Sequence, residues 1–117
     1  MGKRNRQRRR DQPTAPTIAY PDADGNVLEL RGALSPATRT RYADTLSGGL
    51  NREDAWQRAV ELLFEHLAVA WTIAGVRTDR QKELLARFRV ATPGERGFVR
   101  ESLRAHLAEN FPDMEAP

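Results

Sequence analysis

Between Trp56 and Ala74 the apolar residues Trp56, Val60, Leu63, Leu67, Ala70 and Ala74 recur at spacings of 4-3-4-3-4, and Leu62, Val69 and Ile73 widen the same face. That periodicity predicts a helix buried on most of its circumference, with the rest of the fold arranged around it. Asn51 caps its start, with Asp54 three residues on, and Gly75 ends it. Its most apolar stretch, Leu67 to Val76, is about half of the ~20 residues a membrane-spanning helix needs, so it reads as buried core. No membrane span is expected.

The flanking segments follow from capping and turn chemistry. Thr17 to Tyr20 and Val27 to Arg31 are separated by PDADGN, and Asp24-Gly25 suits a tight turn, so a two-stranded β-hairpin is expected with Leu28 and Leu30 facing inward. Ser35-Pro36 is a cap followed by an N1 proline, opening a helix that runs to about Ser47 before Gly48-Gly49. Thr78 is read as opening a third helix with Leu84, Leu85 and Phe88 inside and a Glu83–Arg87 pair outside. Thr92-Pro93-Gly94-Glu95 is a capping box with an N1 proline, and Val99, Leu103, Leu107 and Phe111 form the inner face of the fourth helix until Pro112. The expected fold is mainly α: a short N-terminal hairpin followed by a compact four-helix domain. It divides into a disordered basic arm over 1–16, one domain over 17–112 and a frayed acidic tail over 113–117.

At 117 residues this is one domain with one core. Charge is distributed unevenly along it. The first ten residues hold six of the 19 Lys and Arg and none of the 16 Asp and Glu, which leaves 13 basic and 16 acidic residues in the remaining 107. Lys3, Arg4, Arg6, Arg8, Arg9 and Arg10 repel one another, bury no apolar face and gain most against a polyanion. The expectation is a non-enzymatic protein that associates with RNA or DNA without sequence selectivity, the arm tethering it and the body dimerising or docking a partner. Arg96, Arg100 and Arg104, four apart on one helical face, are secondary phosphate-contact candidates, although a solvated, ion-paired face accounts for them too. The alternative is a protein-interaction adaptor or phage-type assembly chaperone with no nucleic-acid role.

Other chemistries find little support. With no cysteine there is no disulfide, thiolate metal site or cysteine nucleophile, and a cytoplasmic location is the default. The basic N-terminus is followed by DQPTAPT and not by an apolar segment, unlike an export signal. His66 and His106 stand 40 residues apart, and no HExxH, phosphate loop or GxSxG elbow occurs, so no catalytic residue, cofactor or metal is expected. Asp22, Asp24 and Asn26 sit at alternate positions like the start of a calcium loop, but Val27 and Ala33 occupy the places of its glycine and bidentate glutamate. A helix-turn-helix register across Ala91-Thr92 fails because Arg96 would have to point inward.

From Val27 to Leu67 a strand, a helix, a turn and a helix succeed one another, and LNREDAWQRAV resembles the start of the second helix in ribbon-helix-helix repressors. The resemblance covers about a third of the chain. It implies a strand-paired dimer with Val27, Glu29 and Arg31 facing bases and Asn51 and Arg52 at a phosphate. Against it, Glu29 repels phosphate, Arg39 falls where the first helix is apolar, and a preceding hairpin partner would occupy the ribbon edge.

Overall fold

The computed structural model describes residues 16–49 and 51–116, a sheet covered on one face by helices. The order is β1 (Thr17–Pro21), β2 (Val27–Arg31), α1 (Pro36–Ser47), α2 (Arg52–Leu67), β3 (Ala68–Ile73), β4 (Val76–Thr78), α3 (Gln81–Arg89) and α4 (Pro93–Asn110). The four strands form one antiparallel sheet in chain order, β1-β2-β3-β4. Among the described residues the fold is therefore α+β, with four helices and a four-stranded sheet; the mainly α domain with a two-stranded hairpin is overturned.

The difference lies in the second half of the expected central helix. α2 stops at Leu67, and Ala68 already has extended backbone (φ −68°, ψ 123°), its N–H bonded to Phe64 O, so the chain passes from helix to strand without a loop. Ala68 to Ile73 contains Val69, Trp71, Thr72 and Ile73, β-branched or aromatic residues that suit a pleated surface as well as a helical face. β2 decides between them by offering a ladder, with Val27 opposite Thr72, Leu28 opposite Trp71, Glu29 opposite Ala70 and Leu30 opposite Ala68. Val69 is the extra residue of a bulge at the point where β3 leaves the helix.

Gly75 is accordingly a turn residue and not a helix cap. Ala74 (φ 50°) and Gly75 (φ 80°) form a two-residue hairpin between Ile73 and Val76, and both positive angles match the turn type whose twist fits paired strands. Thr78 belongs to β4, and α3 starts after Arg80. An alanine in the left-handed region costs roughly 1–2 kcal/mol. Ala74→Asn is therefore expected to raise stability by about 0.5–1 kcal/mol, read from the urea midpoint, because asparagine tolerates this region better. A lowered midpoint would contradict the hairpin.

The N-caps expected at Ser35, Asn51 and Thr92 are present. Ser35 accepts from Thr38 N, Asn51 from Glu53 N and Asp54 N, and Thr92 and Glu95 form the complete reciprocal box. Between sheet and helices lies one core, in which Leu28, Leu30 and Trp71 of the sheet meet Leu63, Phe64 and Leu67 of α2, Phe88 of α3 and Leu103 and Leu107 of α4. Phe64 stacks on Phe88 with centroids 4.7 Å apart and meets Trp71 edge-on at 5.8 Å. After α4 the acidic end turns back along α1: Tyr42 Oη donates to Glu115 O at 2.6 Å, Asp113 pairs with Arg39 at 3.3 Å, and Met114 packs against the core.

Candidate functional site

The six arm cations, Lys3, Arg4, Arg6, Arg8, Arg9 and Arg10, lie outside the described residues. The arm leads into β1, whose first residue Thr17 pairs with Arg31. The secondary candidates Arg96, Arg100 and Arg104 do share a face of α4, the one turned toward α2 and α3, and each is engaged with the protein itself. The Arg96 guanidinium donates to Arg89 O at 2.8 Å and Ala91 O at 3.3 Å and lies 5.5 Å from the Phe88 ring. Arg100 lies over the Trp56 ring at 4.5 Å. Such contacts hold the stems against aromatic surface and spend part of each donor set, so the ladder works first as packing between α4 and its neighbours. Arg104 borders a groove at the other end of the face.

That groove, about 1040 Å³, opens between α1, the start of α2, α4 and the returning C-terminal segment. Tyr42, Leu46, Trp56 and Met114 supply its apolar lining. Arg39, Arg52 and Arg104 on its rim are balanced by Glu53, Asp113 and Glu115. Mixed charge of this kind suits a polypeptide better than a run of phosphates. Trp56 also borders a second groove of about 470 Å³ with Val60, Phe88, Arg96 and Arg100. Read from periodicity as a core residue, Trp56 is only half-buried and joins the two depressions. Its place in the first turns of α2, beyond the reach of the sheet, is what leaves it partly uncovered.

His106 is fully buried, and sequence reasoning missed its role. Its Nε2 lies 2.7 Å from Arg31 O, an acceptor, so Nε2 carries the proton and donates; Nδ1 then accepts from Tyr20 Oη at 2.8 Å. One neutral ring thus joins α4 to β1 and β2. Burial holds its pKa below the ordinary histidine value, opposed by the Arg31 carbonyl and by Glu109. The position could be read from the inner-face spacing Val99, Leu103, His106, Leu107. His66 sits in the last turn of α2 with its Nε2 buried and no hydrogen-bond partner among the described residues. No group of three or more His, Cys, Asp or Glu that could hold a metal gathers among the described residues.

The ribbon arrangement implied by the repressor resemblance is contradicted by topology. β2 is an interior strand, paired with β1 on one side and β3 on the other, and has no edge to offer a second ribbon. Glu29 is ion-paired with Arg77 of β4, and the Asn51 side chain is occupied in capping α2. In the β1–β2 turn Asp22 accepts from Asp24 N, Asn26 N and Asn26 Nδ2; desolvation is the largest single influence and pushes its carboxyl up, but the hydrogen bonds from Asn26, Asp24 and Gly25 together outweigh it and hold the carboxyl below the usual range. Asn26 Oδ1 in turn accepts from Ala74 N, joining the two hairpin turns. Arg87 pairs with Glu95 at 2.6 Å, and not with Glu83; its hydrogen bond is the leading cause that keeps the Glu95 carboxyl below its ordinary pKa.

No family model, curated protein or solved structure matches the chain. Among the described residues no helix is long and apolar enough to cross a membrane.

Proposed function

We propose that the chain is a non-enzymatic nucleic-acid-associated protein in which the segment from Lys3 to Arg10 supplies electrostatic attachment and the α+β body docks a partner. The observation that carries this is the charge segregation: six cations and no anion in ten residues, ahead of a body with 13 basic and 16 acidic residues. Attachment of this kind is sequence-independent, because phosphates carry no base identity. The engagement of Arg96 and Arg100 within the fold concentrates the proposal on the arm.

The test is a full-length variant with Lys3, Arg4, Arg6, Arg8, Arg9 and Arg10 all replaced by Gln, which keeps the chain length. Fluorescence anisotropy with mixed-sequence RNA and duplex DNA at low salt is expected to show binding by the parent chain and its loss in the variant, with circular dichroism unchanged. Equal binding by both would reject the arm as the attachment site.

A second reading, a protein-interaction adaptor or assembly chaperone without a nucleic-acid role, is favoured by one feature. The Trp56 groove combines an aromatic and aliphatic lining with a rim of both charges, the composition of a polypeptide-docking surface. Absence of any nucleic-acid binding at low salt would make this the working reading.

A further inference from the structure

The segment that follows α4 lies along α1 in a definite direction. Asp113 pairs with Arg39, near the start of α1, at 3.3 Å. Two residues on, Glu115 O accepts from Tyr42 Oη at 2.6 Å, one turn further along the same helix. The Arg39 guanidinium also lies 5.1 Å from the Phe111 ring, and Met114 packs against the core. Residues 111–116 thus form a strap that runs parallel to α1, toward Leu46 and Ser47 at its far end.

Apart from the strap, the walls of the groove are cationic. Among the described residues, α1, the start of α2 and α4 bring Arg39, Arg52 and Arg104 to it against Glu53, whereas its other two carboxylates, Asp113 and Glu115, belong to the strap itself. The cradle therefore already holds an acidic segment, within the same molecule. Two of the contacts that hold it, an arginine on a carboxylate and a tyrosine hydroxyl on a main-chain oxygen, are open to any acidic peptide. The groove also reaches beyond these contacts. Past Tyr42 it is lined by Leu46 and Trp56, both half-buried, and by Arg52, which is exposed and makes no ion pair among the described residues.

We propose that this groove docks an acidic peptide segment of a protein partner, one that carries an apolar side chain, and that strap 111–116 is the intramolecular occupant which such a segment displaces. The partner's carboxylates replace Asp113 on Arg39 and reach Arg52, and its apolar residue enters between Leu46 and Trp56. Net positive walls select an acidic segment over a basic or neutral one. Because strap and partner compete, the apparent affinity is the intrinsic one reduced by the fraction of molecules whose strap is displaced. This role rests on reading the groove as a polypeptide-docking surface and is independent of what the arm binds.

The probe is a fluorescein-labelled peptide, FPDMEADLED, the strap sequence extended by three carboxylates and a leucine, with FPNMQANLQN as its neutral counterpart. Every protein tested is full-length and carries the Gln-for-cation arm, so that peptide carboxylates find no arm to bind. Fluorescence anisotropy is expected to show about tenfold tighter binding of the acidic peptide when Asp113→Ser and Met114→Ser loosen the strap, with circular dichroism unchanged. Arg52→Glu, on the exposed first turn of α2 and remote from the strap, is expected to weaken that binding about tenfold or more, with or without the loosened strap. The neutral peptide is expected to bind about tenfold more weakly than the acidic one. Equal binding of the two peptides, or no effect of Arg52→Glu, overturns the acidic partner while leaving the groove a peptide site. Equal affinity of the acidic peptide for parent and loosened strap overturns the competition. No binding of either peptide at millimolar concentration overturns the proposal together with the polypeptide-docking reading.

Discussion

Replacing Trp71 with alanine is expected to cost about 3–5 kcal/mol of unfolding free energy, the range for removing a large aromatic from a packed interior. Trp71 is 1% exposed at the centre of the inner sheet face. It lies opposite Leu28 on one side and Thr78 on the other, meets Phe64 edge-on, and carries the Arg87 guanidinium 5.4 Å from its ring. Truncation leaves a void bounded by strands on two sides, which cannot collapse without breaking ladders, so the upper part of the range applies. Trp56→Ala is the internal comparison: Trp56 is half-buried and borders open grooves, so a loss below about 2 kcal/mol is expected there. Urea denaturation followed by far-UV circular dichroism reads both. Equal losses would mean that Trp71 does not occupy the inner face of the sheet.

His106 is expected to make stability fall with acid in a window set by its own titration. Its folded-state pKa is lowered, so between that value and the ordinary value of 6.5 the unfolded chain binds a proton that the folded chain refuses. Stability is then full above about pH 6.5 and is lost as pH falls below it, with a slope of up to about 1.4 kcal/mol per pH unit from this one group. Protonation would put a second donor on Nδ1, where Tyr20 Oη now donates, so the hydroxyl would have to turn and accept while the ring carries a buried charge. The shifted carboxyls, Asp22 and Glu95, have lowered pKa values, so their contributions are lost at still lower pH and leave the window near 6 to His106. His106→Ala removes the slope and is expected to cost about 3 kcal/mol at pH 7.5, since Tyr20 Oη and Arg31 O lose their buried partner. A stability profile between pH 5 and pH 7 that is identical in parent and variant would contradict this role.

What the sequence disclosed was local chemistry. Ser35-Pro36, Asn51 and the Thr92 to Glu95 box each place a side-chain acceptor beside free helix N–H groups, and each stands where its residues put it. Leu28 and Leu30 face the core as period-two alternation requires. The sheet's second half was hidden because LAVAWTIAGV is apolar at both helical and strand spacings, and Ala74-Gly75 looks like a helix stop as readily as a hairpin turn. Only pairing with β2, across two intervening helices, distinguishes them, and that pairing is non-local. For the candidate site, the arm and its charge are a sequence property, whereas the Arg100–Trp56 contact and the Tyr20–His106–Arg31 chain depend on juxtapositions no spacing rule contains.

The arm's role is tested most directly by the salt dependence of nucleic-acid affinity. With all six cations on phosphates of duplex DNA, log K against log salt is expected to fall with a slope of about −5, and the Gln-for-cation arm variant to show a slope near zero or no binding. A parent slope near zero, or the same steep slope in both proteins, would contradict electrostatic attachment through Lys3 to Arg10.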